Sequence, residues 1–167
     1  KGLVEDQDAV LDRARAAGIG AFLNISTKRS EWNQVIATAH RAPDVYASVG
    51  IHPHNADDHQ DLTEDALFEA TQDPRVIGIG ETGLDYFYEH ASRAAQRVAF
   101  DAHLQLGCEL SLPVVVHARD ADDDIAAAIR AMPSGTVGVL HCFTGGDRAF
   151  TEAMAADWYV SASGIAS

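Results

Sequence analysis

Residues 112–120 read Leu-Pro-Val-Val-Val-His-Ala-Arg-Asp, a β-branched apolar run that ends on an imidazole and passes into charge. Such a run, bounded by proline and by polar residues, predicts a buried strand over 113–117 with His117 at its C-terminal end. Two further stretches repeat the arrangement. Val-Ile-Gly-Ile-Gly-Glu-Thr-Gly at 76–83 ends its strand on Glu81, and Val-Gly-Val-Leu-His-Cys-Phe-Thr-Gly at 137–145 ends its strand on His141. Period-two alternation sets Ile77, Ile79 and Glu81 on one face, Val115 with His117, and Val137 and Val139 with His141. A carboxylate and two imidazoles are ligand types for zinc, manganese and similar divalent ions. Taken singly, Glu81 could instead pair with Arg119 or Arg148, and each histidine could be a hydrogen-bonded core or rim residue. Their common place at the ends of successive strands favours a metal site.

Outward from these stretches, strand and helix patterns alternate. Helical spacing of apolar residues predicts helices over 6–17, around 32–39, around Leu67 and Ala70, over 92–106 with Gly107 near the end, from Asp122 onward, and over 149–156. The strands expected between them cover 19–25, 45–51, 76–80, 113–117, 136–141 and 158–163. Asp61 with Glu64 resembles a capping box. Asp122, Asp123 and Asp124 suit the positive end of a helix better than a metal cluster. This rhythm implies a parallel sheet covered by helices. An open doubly wound sheet and a (β/α)8 TIM barrel both satisfy it. Ligand-type side chains at the C-terminal ends of several strands favour the barrel, whose active sites are built there.

Composition narrows the class. A chain of 167 residues, 47% hydrophobic and 22% charged, fits one soluble α/β domain. No apolar run approaches a membrane span and no secretory pattern opens the chain. Two cysteines without a CxxC pair fit a reduced, cytoplasmic compartment. The net charge of −13 argues against a surface-wide basic groove for nucleic acid. It does not exclude a nuclease, because bound cations can hold a phosphate with few Arg or Lys contacts. Cys142 reads as a packed thiol, the Gly145-Gly146 pair as a turn, and His40, His59, His90 and His103 as surface residues.

Several segments together resemble the TatD family of metal-dependent deoxyribonucleases, within the amidohydrolase-like TIM barrels. They are Gly-Ile-His-Pro-His at 50–54, Gly-Glu-Thr-Gly-Leu-Asp at 80–85, Gln96 with Phe100, residues 112–120, and His-Cys-Phe-Thr-Gly at 141–145. The resemblance implies a divalent-metal-dependent hydrolase, a DNase or exonuclease acting on DNA through a metal-activated water. Two ions (Mg, Mn or Zn) are implied, with Glu81 bridging them and His117 and His141 holding one. It places His52 and His54 on the substrate side or behind the ligands, and Asp85 and Arg119 as orienting or phosphate-contacting residues. The family's first-strand His-x-His and last-strand Asp have no counterpart. The strands here would be two to seven of eight, and the single domain over 1–167 is expected to be incomplete at both ends. Alternatives are hydrolysis of another ester or amide, such as an aminoacyl-tRNA, and an inactive truncated form.

Overall fold

The computed structural model describes residues 6–59 and 64–164. Strands β1 (Phe22–Ile25), β2 (Val45–Val49), β3 (Val76–Asp85), β4 (Val114–Arg119), β5 (Gly138–Leu140) and β6 (Tyr159–Val160) alternate with helices. These are α1 (Gln7–Ala16), α2 (Trp32–Ala39), α3 (Glu64–Thr71), α4 (Arg93–Leu110), α5 (Asp122–Ala131) and α6 (Asp147–Ala155). The strands form one parallel sheet in the order β1-β2-β3-β4-β5-β6. A doubly wound sheet reverses its order at a switch point. Here every strand pairs with its successor, so the chain winds in one direction, and the right-handed crossover usual between parallel strands puts the helices on one side.

The core lies between sheet and helices. Val45, Ala47 and Val49 of β2 pack with Trp32 and Val35 of α2, and Val114 and Val116 of β4 with Phe100, Leu104 and Ile125. The Trp32 indole N–H donates to the Gly50 carbonyl at 3.0 Å, fixing α2 to the end of β2. Among the described residues, no helix is long and apolar enough to cross a membrane.

Three local expectations need correction. Ile77 and Ile79 do not share a face: Ile77 is 40% exposed and Ile79 fully buried. The cause is a bulge, since β2 pairs Ala47 with Val76 and then Ser48 with Gly78, skipping Ile77. Helix α4 continues to Leu110, past the expected end at Leu106, so Gly107 lies inside its last turn. A Cβ there would meet the Val114 side chain, so glycine serves the close approach of α4 to β4. His103 is fully buried rather than on the surface. Its Nε2 accepts the Ile51 amide N–H at 3.0 Å while Nδ1–H donates to the Ala99 carbonyl at 2.6 Å. The capping box of Asp61 with Glu64 lies outside the described residues.

Candidate metal centre

Glu81 occupies a second bulge in β3. Gly80 pairs with Val115 and Thr82 with Val116, leaving Glu81 unpaired between them. Gly80 has φ +134°, and a Cβ on it would stand 2.5 Å from the Val115 carbonyl oxygen, so no other residue fits without displacement. The Gly80–Glu81 peptide is cis. The Glu81 amide donates to the Ser26 carbonyl at 3.0 Å, tying the bulge to the end of β1. The carboxylate faces histidines, not Arg119 or Arg148: His117 Nδ1 lies 3.4 Å and His52 Nε2 3.9 Å from Oε1. Burial pushes the Glu81 carboxyl up. The hydrogen bond to His117 and the charges of His52, His117 and His141 outweigh this and hold it below its ordinary value.

His117 stands on the same face of β4 as Val115, opposite the helix-packed Val114 and Val116. Its Nε2 lies 2.9 Å from Asp85 Oδ2. Asp85, with its side chain 1% exposed, also accepts from His54 Nε2 at 2.9 Å and from the Phe87 and Tyr88 amides at 3.1 and 3.0 Å. Burial raises this carboxyl, but the Tyr88 amide, His54 and His117 bring it down to about 2. An ionised carboxylate only accepts, so His117 donates through Nε2–H and turns Nδ1 toward Glu81. A carboxylate behind an imidazole is the arrangement that orients histidine ligands. Burial lowers the His117 basicity, but the bonds to Glu81 and Asp85 outweigh it and raise its pKa. A metal ion would therefore displace a proton from Nδ1.

Asp85 is itself held by Gln96, buried on α4. The Gln96 Oε1 accepts the Asp85 amide at 2.8 Å, and its Nε2 donates to the carbonyls of Asp85 and Ala91 at 3.0 and 2.9 Å. Sequence reading matched Gln96 to a family pattern but assigned it no role. Its chemistry depends on a partner eleven residues away, and no local signal marks it.

Among the described residues, the compact group of metal-capable side chains is His52, Glu81 and His117, with ligand atoms within 4.8 Å of one another. His141, an expected ligand, follows β5 at the same end of the sheet, its amide bonded to the Val116 carbonyl at 2.8 Å. It lies outside that group, although its charge reaches Glu81. His52, expected on the substrate side or behind the ligands, belongs to that group. Its Nδ1 accepts the His54 amide at 3.2 Å, so the neutral ring carries its proton on Nε2, the atom facing Glu81. Burial, with the charge of His117 adding to it, lowers His52 to about 4 and keeps that neutral form. His52 thus presents a donor where a ligand needs a lone pair. His54 stands edge-on to His52 and His90, with centroids 4.5 and 4.7 Å apart. Arg119 lies over Phe87 and Tyr88, two aromatics that sequence reading passed over.

The donor set fits a divalent ion: a carboxylate and an imidazole oriented from behind stand together, partly buried, at the strand ends. Comparison with known proteins agrees with this chemistry. A family model described as TatD related DNase matches residues 1–167. The 3'-5' ssDNA/RNA exonuclease TatD of Erwinia tasmaniensis is 36% identical over 143 residues, 84% of this chain and 55% of the relative. That of Citrobacter koseri is 35% identical over 162 residues, 96% of this chain and 62% of the relative. The chain thus spans little more than half the length of these relatives. A TatD homologue from Escherichia coli K12 superposes with a TM-score of 0.85 at 28% identity, over 95% of this chain and 62% of that one. An amidohydrolase from Saccharomyces cerevisiae shares the fold, with a TM-score of 0.63 at 19% identity over 84% of this chain and 56% of its own. The six strands form a curled half-barrel of this type. By its sequence match along the whole length and by this fold, the chain belongs to the TatD-related DNase family.

Proposed function

We propose that this chain contributes to a two-metal phosphodiesterase, a DNase or exonuclease, in which Glu81 bridges the ions and His117 and His141 hold one of them. The observation that carries this reading is the His117 ring, whose Nε2 is tied to buried Asp85 and whose Nδ1 is turned toward Glu81. Bound divalent ions (Mg, Mn or Zn) would acidify a water and draw charge from the scissile phosphate. The chain's own residues do the remainder. Asp85 keeps both His117 and His54 in one tautomer, and Gln96 keeps Asp85 in place. His52 offers its Nε2–H beside Glu81, as a donor to an oxygen of the bound phosphate. We read the six strands as strands two to seven of a (β/α)8 barrel and residues 1–167 as part of one hydrolase domain, on the similarity to the longer relatives.

The test is cleavage of single-stranded DNA by the protein. A chelator should abolish it and manganese or magnesium restore it. A Glu81→Ala/His141→Ala double variant that folds normally should cleave no faster than a blank; undiminished cleavage would refute the assignment.

A further inference from the structure

Two residues beyond His117 on the same face of β4, Arg119 lines a cavity of about 650 Å³ between the ends of β4 and β5, together with Phe87, Asp120, Thr144 and Gly145. That volume suits a nucleotide-sized ligand. The guanidinium lies 4.2 Å from the Phe87 centroid and 4.6 Å from that of Tyr88. Arg93, Arg97, Arg130 and Arg148 each pair with a carboxylate. Arg119 pairs with none among the described residues.

Two of the nearby acids are otherwise occupied, while Asp120, next to Arg119 at the cavity wall, is engaged by no side-chain bond among the described residues. Asp85 accepts from two imidazoles and two amides. Asp122, at the cavity wall, accepts the amides of Gly146, Arg148 and Ala149 at 2.9, 3.2 and 3.2 Å. It thereby fills the N-terminus of α6, which leaves Arg119 as the cationic wall. The two aromatics also differ. Tyr88 is near Arg119 and also stacks on the near-parallel His90 ring, 5.5 Å away. Both are exposed, Phe87 at 54% and Tyr88 at 49%, but Phe87 meets Tyr88 only edge-on and no ring among the described residues stacks on it.

We propose that Phe87 and Arg119 form a stacking platform for the base of a nucleotide neighbouring the cleaved one, with Arg119 also contacting its phosphate. An exposed aromatic face backed by a planar cation holds any base by stacking, and arginine meets phosphate through its planar donors. Bases in a duplex already stack on each other, so the platform selects unpaired nucleic acid. The inference rests on the phosphodiesterase reading and deepens it.

The experiment is a cycle between the side chain and the base. Phosphorothioate oligonucleotides carry 2-aminopurine, or an abasic sugar, at each of the three terminal positions in turn at either end. They are titrated with the protein in the presence of manganese. The expected result is fluorescence quenching at one position, and binding about tenfold weaker when that position is abasic. Phe87→Ala should lose the quenching and bind the intact oligonucleotide about tenfold more weakly, with no further loss from the abasic sugar. Phe87→Trp should restore both. Independent losses that multiply, or quenching unchanged in Phe87→Ala, would overturn the platform. Wild-type cleavage of bis(4-nitrophenyl) phosphate, which has no base, tests the hydrolase reading separately. If the wild type cleaves neither this ester nor DNA, both inferences fail; if it cleaves both and the cycle is multiplicative, only the platform fails.

Discussion

Asp85 accepts four hydrogen bonds, from two imidazoles and two backbone amides, with its side chain 1% exposed. An asparagine in its place keeps the shape but has one accepting oxygen, and its NH2 would face donors. Asp85→Asn should therefore retain the fold while freeing the His117 ring. Loss of such an outer partner typically costs metal affinity about 10–100-fold. Competition with a chromophoric chelator measures it, and an unchanged affinity would show that Asp85 does not orient a ligand. The same titration separates the two histidines beside Glu81. His117→Ala should weaken metal binding far more than His52→Gln: His117 keeps its proton on Nε2 at Asp85 and can give up the one on Nδ1, whereas the Nε2–H that His52 turns toward the site is the only proton of its neutral ring. An equal loss from both would contradict the tautomer argument. His117 was legible in the sequence as an imidazole at a strand end. The nitrogen it would offer was not, because Asp85, thirty-two residues away, decides it.

At the scale of elements, the alternation of strands and helices was readable from apolar periodicity, and α2 spans the predicted 32–39. The misreadings fall where a partner element, rather than local sequence, sets the geometry. Strand β3 carries two bulges because β2 and β4 each skip one of its residues, and alternation counted along β3 alone cannot register an insertion relative to a neighbour. His103 looks polar in sequence yet is a buried pin between α4 and Ile51, the residue before His52. Burial lowers it from 6.5 to about 4, with the bond to Ala99 opposing. In the unfolded chain the ring takes a proton below its ordinary pKa, while in the folded protein it stays neutral until about pH 4. Its contribution is thus fully present above pH 6.5 and is lost as pH falls toward 4. Between pH 7.5 and 5.0 this site should remove about 2 kcal/mol of stability. His103→Leu should abolish that part of the pH dependence in urea unfolding curves. It should also cost about 1–3 kcal/mol at pH 7.5, since the Ile51 N–H loses its acceptor. An unchanged pH dependence would show that some other group carries it.

At the scale of the whole molecule, polar residues at strand ends favoured a barrel over an open doubly wound sheet in the sequence, and the pairing of each strand with its successor agrees with that choice. The described sheet has two edges, β1 and β6. The register puts Leu23 of β1 beside Tyr46, on the face away from the helix-packed Val45 and Ala47, and Tyr159 of β6 beside Val139 on the same face as Val115. Both side chains are wet, at 40% and 69% exposure. If the sheet is the larger part of a closed barrel, that face is the barrel interior, and the two residues would pack against the strands that close it. Sequence could not reveal this, because an apolar residue in a strand reads alike on either face. The consequence is a substitution whose effect changes sign with context. The 167-residue polypeptide made alone should self-associate through its open edges and apolar concave face. Leu23→Lys with Tyr159→Lys should shift it toward monomer in size-exclusion chromatography with light scattering. In a form of the relatives' length whose barrel closes, the same pair would bury two ammonium groups in an apolar layer and should lower Tm sharply. A sheet that stays open would gain solubility in both contexts, so a Tm unchanged in a form of the relatives' length would rule out barrel closure over these two side chains.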